Sequence, residues 1–156
     1  MHIKQLIGQY LRHCSLEKNL QPTTTRCMSS CFNIFVRQTG ITLLIQIDLS
    51  ALREFFYDGK SRLFWSYNTH NNYYNYLRGL LNWCVSEKMI TKNPILELKK
   101  PKKPQTLPRR LTYEEAQKIL FTCWSYNWRY QFERSRNYAM MAVFLNSGIR
   151  CNELRN

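Results

Sequence analysis

A proline-bearing run of cations, Lys99-Lys100-Pro101-Lys102-Lys103-Pro104-Gln105-Thr106-Leu107-Pro108-Arg109-Arg110, sets the first limit on how this chain folds. It holds six Lys/Arg and no Asp or Glu. Each proline lacks an amide donor and fixes its own φ, so neither a helix nor a central strand runs through the segment. The chain therefore divides into residues 1–98, a basic linker at 99–110, and residues 111–156. The charge is not confined to the linker. Residues 1–98 carry 11 Lys/Arg against 6 Asp/Glu, and residues 99–156 carry 12 against 4, which makes +13 for the whole. So basic a chain attracts polyanions. Nucleic acid is the commonest, because Lys and Arg displace the counterions condensed on its phosphates. An anionic membrane surface is the rival, but no stretch approaches the roughly 18 apolar residues of a spanning helix. The N-terminus has no secretory signal pattern, so the expected location is the cytoplasm.

With 44% hydrophobic and 14% aromatic residues, the chain has enough apolar surface to collapse into a core. Before the linker the periodicity is helical. Ile3, Leu6, Ile7, Tyr10, Leu11 and Cys14 share one face of a first helix. A second is expected from Pro22-Thr23, with a Thr as its cap, burying Cys27, Cys31, Ile34 and Phe35 and stopping at Gly40. Ile41 to Ile47 is ambiguous. Asp48 is expected to cap a short helix carrying Leu49, Leu52, Phe55 and Phe56, closed by Asp58-Gly59. A fourth helix, from Asn68 or Thr69, is expected to bury Tyr73, Tyr76, Leu77, Leu80, Leu81 and Cys84 and to end before Asn93-Pro94. Together these form a small four-helix bundle.

After the linker, Thr112-Tyr113-Glu114-Glu115 is a capping box that opens a helix burying Ala116, Ile119, Leu120 and Cys123. A further helix from about Glu133 to Ser147 is expected to bury Tyr138, Met141, Ala142 and Leu145, with Gly148 as a left-handed stop. Two helices bury little, so Val143, Phe144 and Leu145 are expected to leave apolar surface open. Among six cysteines only Cys27 and Cys31 lie close, with no second Cys or His pair at zinc spacing. The expectation is buried thiols and no metal. His2, His13 and His70 show no partner spacing and are assigned no catalytic or metal role.

Four short boxes resemble one family. Gly148-Ile149-Arg150-Cys151-Asn152-Glu153-Leu154 resembles the arginine box of the tyrosine recombinases of phage-integrase type. Leu111-Thr112-Tyr113-Glu114-Glu115 is similar to the opening of that family's catalytic domain. Arg136-Asn137-Tyr138-Ala139 is similar to the start of the helix that leads to the arginine. Leu77 to Cys84, then Met89-Ile90 and Asn93-Pro94-Ile95, resemble the last helix and exit of the family's helical core-binding domain. The boxes stand in the family's order and cover nearly the whole chain. Departures are Asn146-Ser147 where the family usually has Thr, and Cys151-Asn152 where Ile-Ser is commoner.

The resemblance implies a mainly α protein: a small four-helix, SAM-like core-binding domain over 1–98, then the first helices of a truncated catalytic domain over 111–156. It implies that Arg150 is the family's first catalytic arginine, whose planar guanidinium binds two oxygens of the phosphorane-like transition state while a tyrosine attacks. The alternative is an ordinary surface arginine paired with Glu153. The family's other catalytic groups, a Lys, a His-x-x-Arg box, a further His or Trp and the nucleophilic Tyr, all follow that arginine. The 156 residues are therefore expected to bind DNA without cleaving it.

The expected partner is double-stranded DNA, with full-length recombinase protomers as further partners, no membrane and no small-molecule cofactor. Lys99, Lys100, Lys102, Lys103, Arg109 and Arg110 are the phosphate-contact candidates on the linker; a solvated tether is the alternative. Thr23, Thr24, Thr25 and Arg26 form a polar helix start suited to an anion, or simply cap the helix. Asn68, Thr69, His70, Asn71, Asn72 and Arg78 are candidates on the fourth helix, because Asn pairs with adenine edges. Two other functions stay open: a non-enzymatic DNA-binding protein that occupies recombination sites or modulates a full-length recombinase, and a helical RNA-binding or ribosome-associated protein suggested by charge and surface aromatics alone.

Overall fold

The computed structural model describes residues 1–100, 102–105 and 110–155, and the chain falls into two compact units, Met1–Gln105 and Thr106–Asn156. Among the described residues all regular structure is helical apart from one isolated antiparallel bridge, His2 to Leu43. No helix among them is long and apolar enough to cross a membrane.

The first unit is built from α1 (Ile3–Leu16), α2 (Pro22–Thr39), α3 (Leu49–Ser61) and α4 (Tyr67–Ser86). α1 buries Ile3, Leu6, Ile7, Tyr10 and Cys14 of the stripe its spacing predicts, with Leu11 half-buried. α2 begins and stops where expected, with Gly40 left-handed at φ 66° and its amide on the Val36 carbonyl. Two details differ. No threonine caps it: Gln21 occupies the cap position without a side-chain bond, and the Thr25 hydroxyl donates back to the Pro22 carbonyl at 3.1 Å. Its buried face is Met28, Cys31, Phe32 and Phe35, leaving Ile34 half-buried and Cys27 exposed. The two phenylalanines displace more water than Cys27 and Ile34, so the helix turns them inward.

The ambiguous segment proves to be an extended piece with a 3-10 turn at Leu44–Gln46. Ile41, Leu44 and Ile47 are buried, three residues apart. The segment holds the N-terminus, because Ile3 N donates to Thr42 O at 2.8 Å and Leu44 N to Met1 O at 3.1 Å.

Asp48 caps α3 as expected, its Oδ1 accepting from Ala51 N at 2.7 Å. The helix does not close at Asp58-Gly59 but continues to Ser61. Gly59 serves packing instead: a Cβ there would lie 2.3 Å from the Trp65 ring, so the bare backbone is the seat of that indole. Trp65 in turn stacks on Tyr73 at 4.4 Å and meets Phe55 edge-on at 5.1 Å. α4 starts earlier than expected, at Tyr67, because the Ser66 hydroxyl accepts from Thr69 N at 3.2 Å. Its core side holds Tyr74, Leu77, Leu80, Leu81 and Cys84, whereas Tyr73 and Tyr76 lie half-buried at the edge. Gly79 lets α1 come close, since a Cβ there would stand 2.7 Å from the Tyr10 hydroxyl.

The unit is closed by a second 3-10 turn at Pro94–Glu97, entered through the buried Asn93. Asn93 Nδ2 donates to Asn82 Oδ1 at 2.7 Å and to the Arg78 carbonyl at 3.3 Å, while its Oδ1 accepts from Ile95 N at 3.0 Å. Ile95 beside it is fully buried. One amide thus ties the exit of the chain to α4.

The second unit holds α5 (Tyr113–Ser125), α6 (Gln131–Ser147) and α7 (Cys151–Arg155). The capping box forms as the sequence predicts: Glu115 N donates to Thr112 Oγ1 at 3.2 Å and Thr112 N to Glu115 Oε2 at 2.8 Å. α6 begins two residues before the expected Glu133, because that carboxylate reaches back to Tyr130 N at 3.3 Å. Gly148 is left-handed at φ 65°, as expected. Neither long helix contains a fully buried residue. Ala116, Ile119, Leu120, Cys123, Ala142 and Leu145 are half-buried, and Tyr138 and Met141 remain exposed, contrary to expectation. Two packed helices bury only the seam between them. Of the apolar residues expected to stay open, Val143 does so, whereas Phe144 and Leu145 are half-buried in that seam.

The Asn93 contacts generate a stability prediction. Asn93→Ala strands the buried Ile95 amide, at a cost of about 1–3 kcal/mol. For a unit of this size that lowers Tm by roughly 4–8 °C per kcal/mol. Thermal melting followed by circular dichroism checks it, and an unshifted Tm would show that the amide closes nothing.

Candidate nucleic-acid interface

The basic segment leaves the first unit directly after the Pro94–Glu97 turn. Lys99, Lys100, Lys102 and Lys103 are exposed, and Arg110 is exposed before α5. Arg109 lies outside the described residues. Among the described residues none of these five cations forms an ion pair with a carboxylate.

The helix candidates are placed less uniformly. On α2, Thr23 and Arg26 are exposed, and Thr24 and Thr25 are half-buried, the latter with its hydroxyl engaged. No acidic residue occupies that first turn. On α4, Asn68, Asn72 and Arg78 are exposed, and Thr69 is half-buried with its hydroxyl 3.0 Å from Ser66 Oγ. Asn71 is half-buried, and its Oδ1 is enclosed without a hydrogen-bond partner. His70 does not belong with these polar side chains. Its ring lies parallel on Phe56, centroids 4.8 Å apart, and is edge-on to Trp65 at 6.4 Å.

Arg150 sits between the Gly148 stop and α7. Its amide donates to Glu153 Oε2 at 2.8 Å and its Nη1 lies 3.2 Å from Glu153 Oε1. The pairing with Glu153 that sequence spacing offered as an alternative is therefore present. Yet the Arg150 side chain is 88% exposed. An exposed pair of this kind contributes only about 0–1 kcal/mol. A phosphate presenting two oxygens competes readily for such a fork.

Sequence reading missed several features. His13, assigned no partner, has Nδ1 2.9 Å from Glu17 Oε2, a pairing readable from the four-residue helical spacing. Two of the six cysteines, Cys27 and Cys151, are exposed rather than buried, and Cys123 is half-buried; Cys14, Cys31 and Cys84 are buried. Burial pushes the Cys84 thiol up to about 11. Among the described residues no group of three or more His, Cys, Asp or Glu side chains gathers as a metal set. The first unit also carries a cleft of about 450 Å³ where α3, α4 and the exit segment meet. Arg53, Tyr57 and Lys60 line it from α3 and Lys99 from the exit. Their spacing of four and seven along α3 was the available signal.

No protein-family model matches the chain. Over nearly its whole length the chain is similar in sequence to tyrosine recombinases, and it shares its helical fold with a phage integrase. It is 24% identical over 152 residues to tyrosine recombinase XerC of Escherichia coli O139:H28, covering 95% of this chain and 49% of that protein. XerC of Escherichia coli K12 matches at the same identity and coverage. The integrase from mycobacterium phage Brujita superposes with a TM-score of 0.58 over 77% of this chain and 44% of that one, at 14% identity, which shows the shared fold. The chain spans about half the length of the curated relatives it matches.

The His70 environment predicts a pH response. Burial, then the nearby Lys60 charge, lower its pKa below the ordinary value. The unfolded chain therefore takes up a proton near pH 6.5 that the folded chain refuses, so stability falls as pH drops below about 6.5. His70→Phe keeps a ring on Phe56 and removes the titration. Between about pH 7 and pH 5, wild type is expected to lose Tm relative to that variant. A gap between the two melting curves that does not change with pH contradicts this account.

Proposed function

We propose that this chain is the duplex-binding portion of a site-specific tyrosine recombinase, and that the Lys99–Lys103 segment supplies much of its grip on the phosphate backbone. The single observation that carries the reading is this row of exposed cations, held at a defined exit by the Asn93 and Ile95 contacts and free of carboxylate partners among the described residues. Cations so placed release counterions on meeting DNA. The similarity to XerC, a recombinase by name, and the fold shared with a phage integrase support the same reading.

Arg110, in the second unit, and Arg109 belong to the same proposal by sequence. Thr23, Thr25 and Arg26 at the start of α2 offer amides, hydroxyls and a charge to a phosphate. Asn68 and Asn71 on α4, with Arg78 further along, are the base-edge candidates. Arg150 is proposed to meet the scissile phosphate, exchanging its exposed pairing with Glu153 for two phosphate oxygens.

The test is a gel-shift titration across salt with Lys99, Lys100, Lys102 and Lys103 all changed to Ser. Each lost phosphate contact removes about 0.9 from the slope of log affinity against log salt, so the slope is expected to flatten by about 3 to 4. Affinity near physiological salt is expected to drop by on the order of tenfold or more. An unaltered slope would remove the segment from the interface.

A further inference from the structure

The cleft between α3, α4 and the exit segment has a composition that duplex binding does not call for. Arg53, Phe56, Tyr57 and Lys60 share one face of α3 because they are spaced at three, four and seven residues. His70 and Tyr74 face them from α4, and Leu98 and Lys99 complete the wall from the exit. The cations Arg53, Lys60 and Lys99 have no ion-pair partner among the described residues. The one carboxylate lining the cleft, Glu97, is held by Lys92 at 3.0 Å, so the cleft is electropositive.

The same cleft carries ring surface. Tyr57 is 66% exposed at its wall, and His70 lies flat on the buried Phe56. Burial and the Lys60 charge keep that imidazole uncharged near neutral pH, so it acts as a flat ring rather than a fourth cation. A volume of about 450 Å³ suits a small ligand and is too confined for a double helix.

We propose that this cleft binds a nucleoside phosphate, its base stacked on Tyr57 and the His70–Phe56 pair and its phosphate held by Arg53, Lys60 and Lys99. Paired DNA keeps its bases stacked inside the duplex and offers no face to Tyr57, whereas an unpaired nucleotide offers base and phosphate together. The ligand is either a free nucleotide or one unpaired residue of a single strand. This site goes beyond duplex binding and rests on α3 residues that the duplex reading does not use.

Fluorescence anisotropy of the full chain with a short labelled oligothymidylate, with unlabelled dTMP as competitor and a labelled duplex in parallel, tests the assignment. Arg53→Gln with Lys60→Gln, and separately Tyr57→Ala, are each expected to weaken the single strand by about tenfold and leave duplex affinity unchanged. Tyr57→Phe is expected to retain binding. All three side chains are exposed, and an unchanged Tm verifies the fold. Displacement by dTMP assigns the site to free nucleotides as well; loss in both variants without displacement assigns it to a nucleotide within a strand. No wild-type binding of the single strand overturns the proposal, as does unaltered binding in both variants. A parallel loss on the duplex overturns it too, by reducing the cleft to general attraction. Loss in the cation variant alone leaves only an anion contact and overturns the nucleoside assignment.

Discussion

The interaction on which the closure of the first unit depends is the buried amide of Asn93. A chain leaving a helical bundle on a flexible strand would carry its charges anywhere. Here three hydrogen bonds to one side chain, with Ile95 fully buried beside it, fix the direction in which the backbone departs. Such a group stays buried only because its donors and acceptor are satisfied, and that requirement makes its geometry specific. The cations that follow at Lys99 and Lys100 therefore start from a defined point on the surface.

The aromatic packing gives that lock something to close onto. Phe35, Phe55, Phe56, Trp65 and Tyr73 meet in edge-on and stacked contacts between 4.4 and 6.5 Å, and Gly59 provides the flat seat for the indole. A unit of about a hundred residues with such ring density tolerates an excess of surface cations. Burial of each large apolar side chain contributes about 1.5–3 kcal/mol, whereas exposed like charges repel weakly through water. The second unit has no comparable reserve. Its two long helices contain no fully buried residue, and an open apolar cleft of about 720 Å³ includes Ile119, Trp128, Met140 and Phe144. Its order rests on caps and seam contacts: the Thr112 box, the Gly148 stop and the Trp128 indole donating to the Cys123 carbonyl at 2.8 Å.

Much of this was legible in the residues. The α1 stripe, the Asp48 cap, the Thr112 box and the two left-handed glycines were all readable, because each follows from bonds within a few residues. The errors share another origin. The buried face of α2 turned from Cys27 and Ile34 toward Met28 and Phe32 because neighbouring helices offered room for rings there. Gly59 looked like a stop and is a packing surface, since nothing local announces that Trp65 will need the space. Of the candidate site, the basic row was plain from composition, and the Arg150–Glu153 pairing was foreseen as an alternative. The α3 cleft was not, because it exists only where three elements meet.

By itself the sequence determined the helical class and those helix ends that a cap or a left-handed glycine fixes, at Asp48, Thr112, Gly40 and Gly148, since those depend on side-chain caps and apolar spacing along one segment. Only tertiary structure decided which face of α2 and of α4 is buried, that His70 lies flat on Phe56, and that Arg53, Lys60 and Lys99 share a cleft. The physical reason is range. Capping and helix periodicity act over three or four residues, whereas burial and electrostatic neighbourhood depend on surfaces brought together from distant parts of the chain.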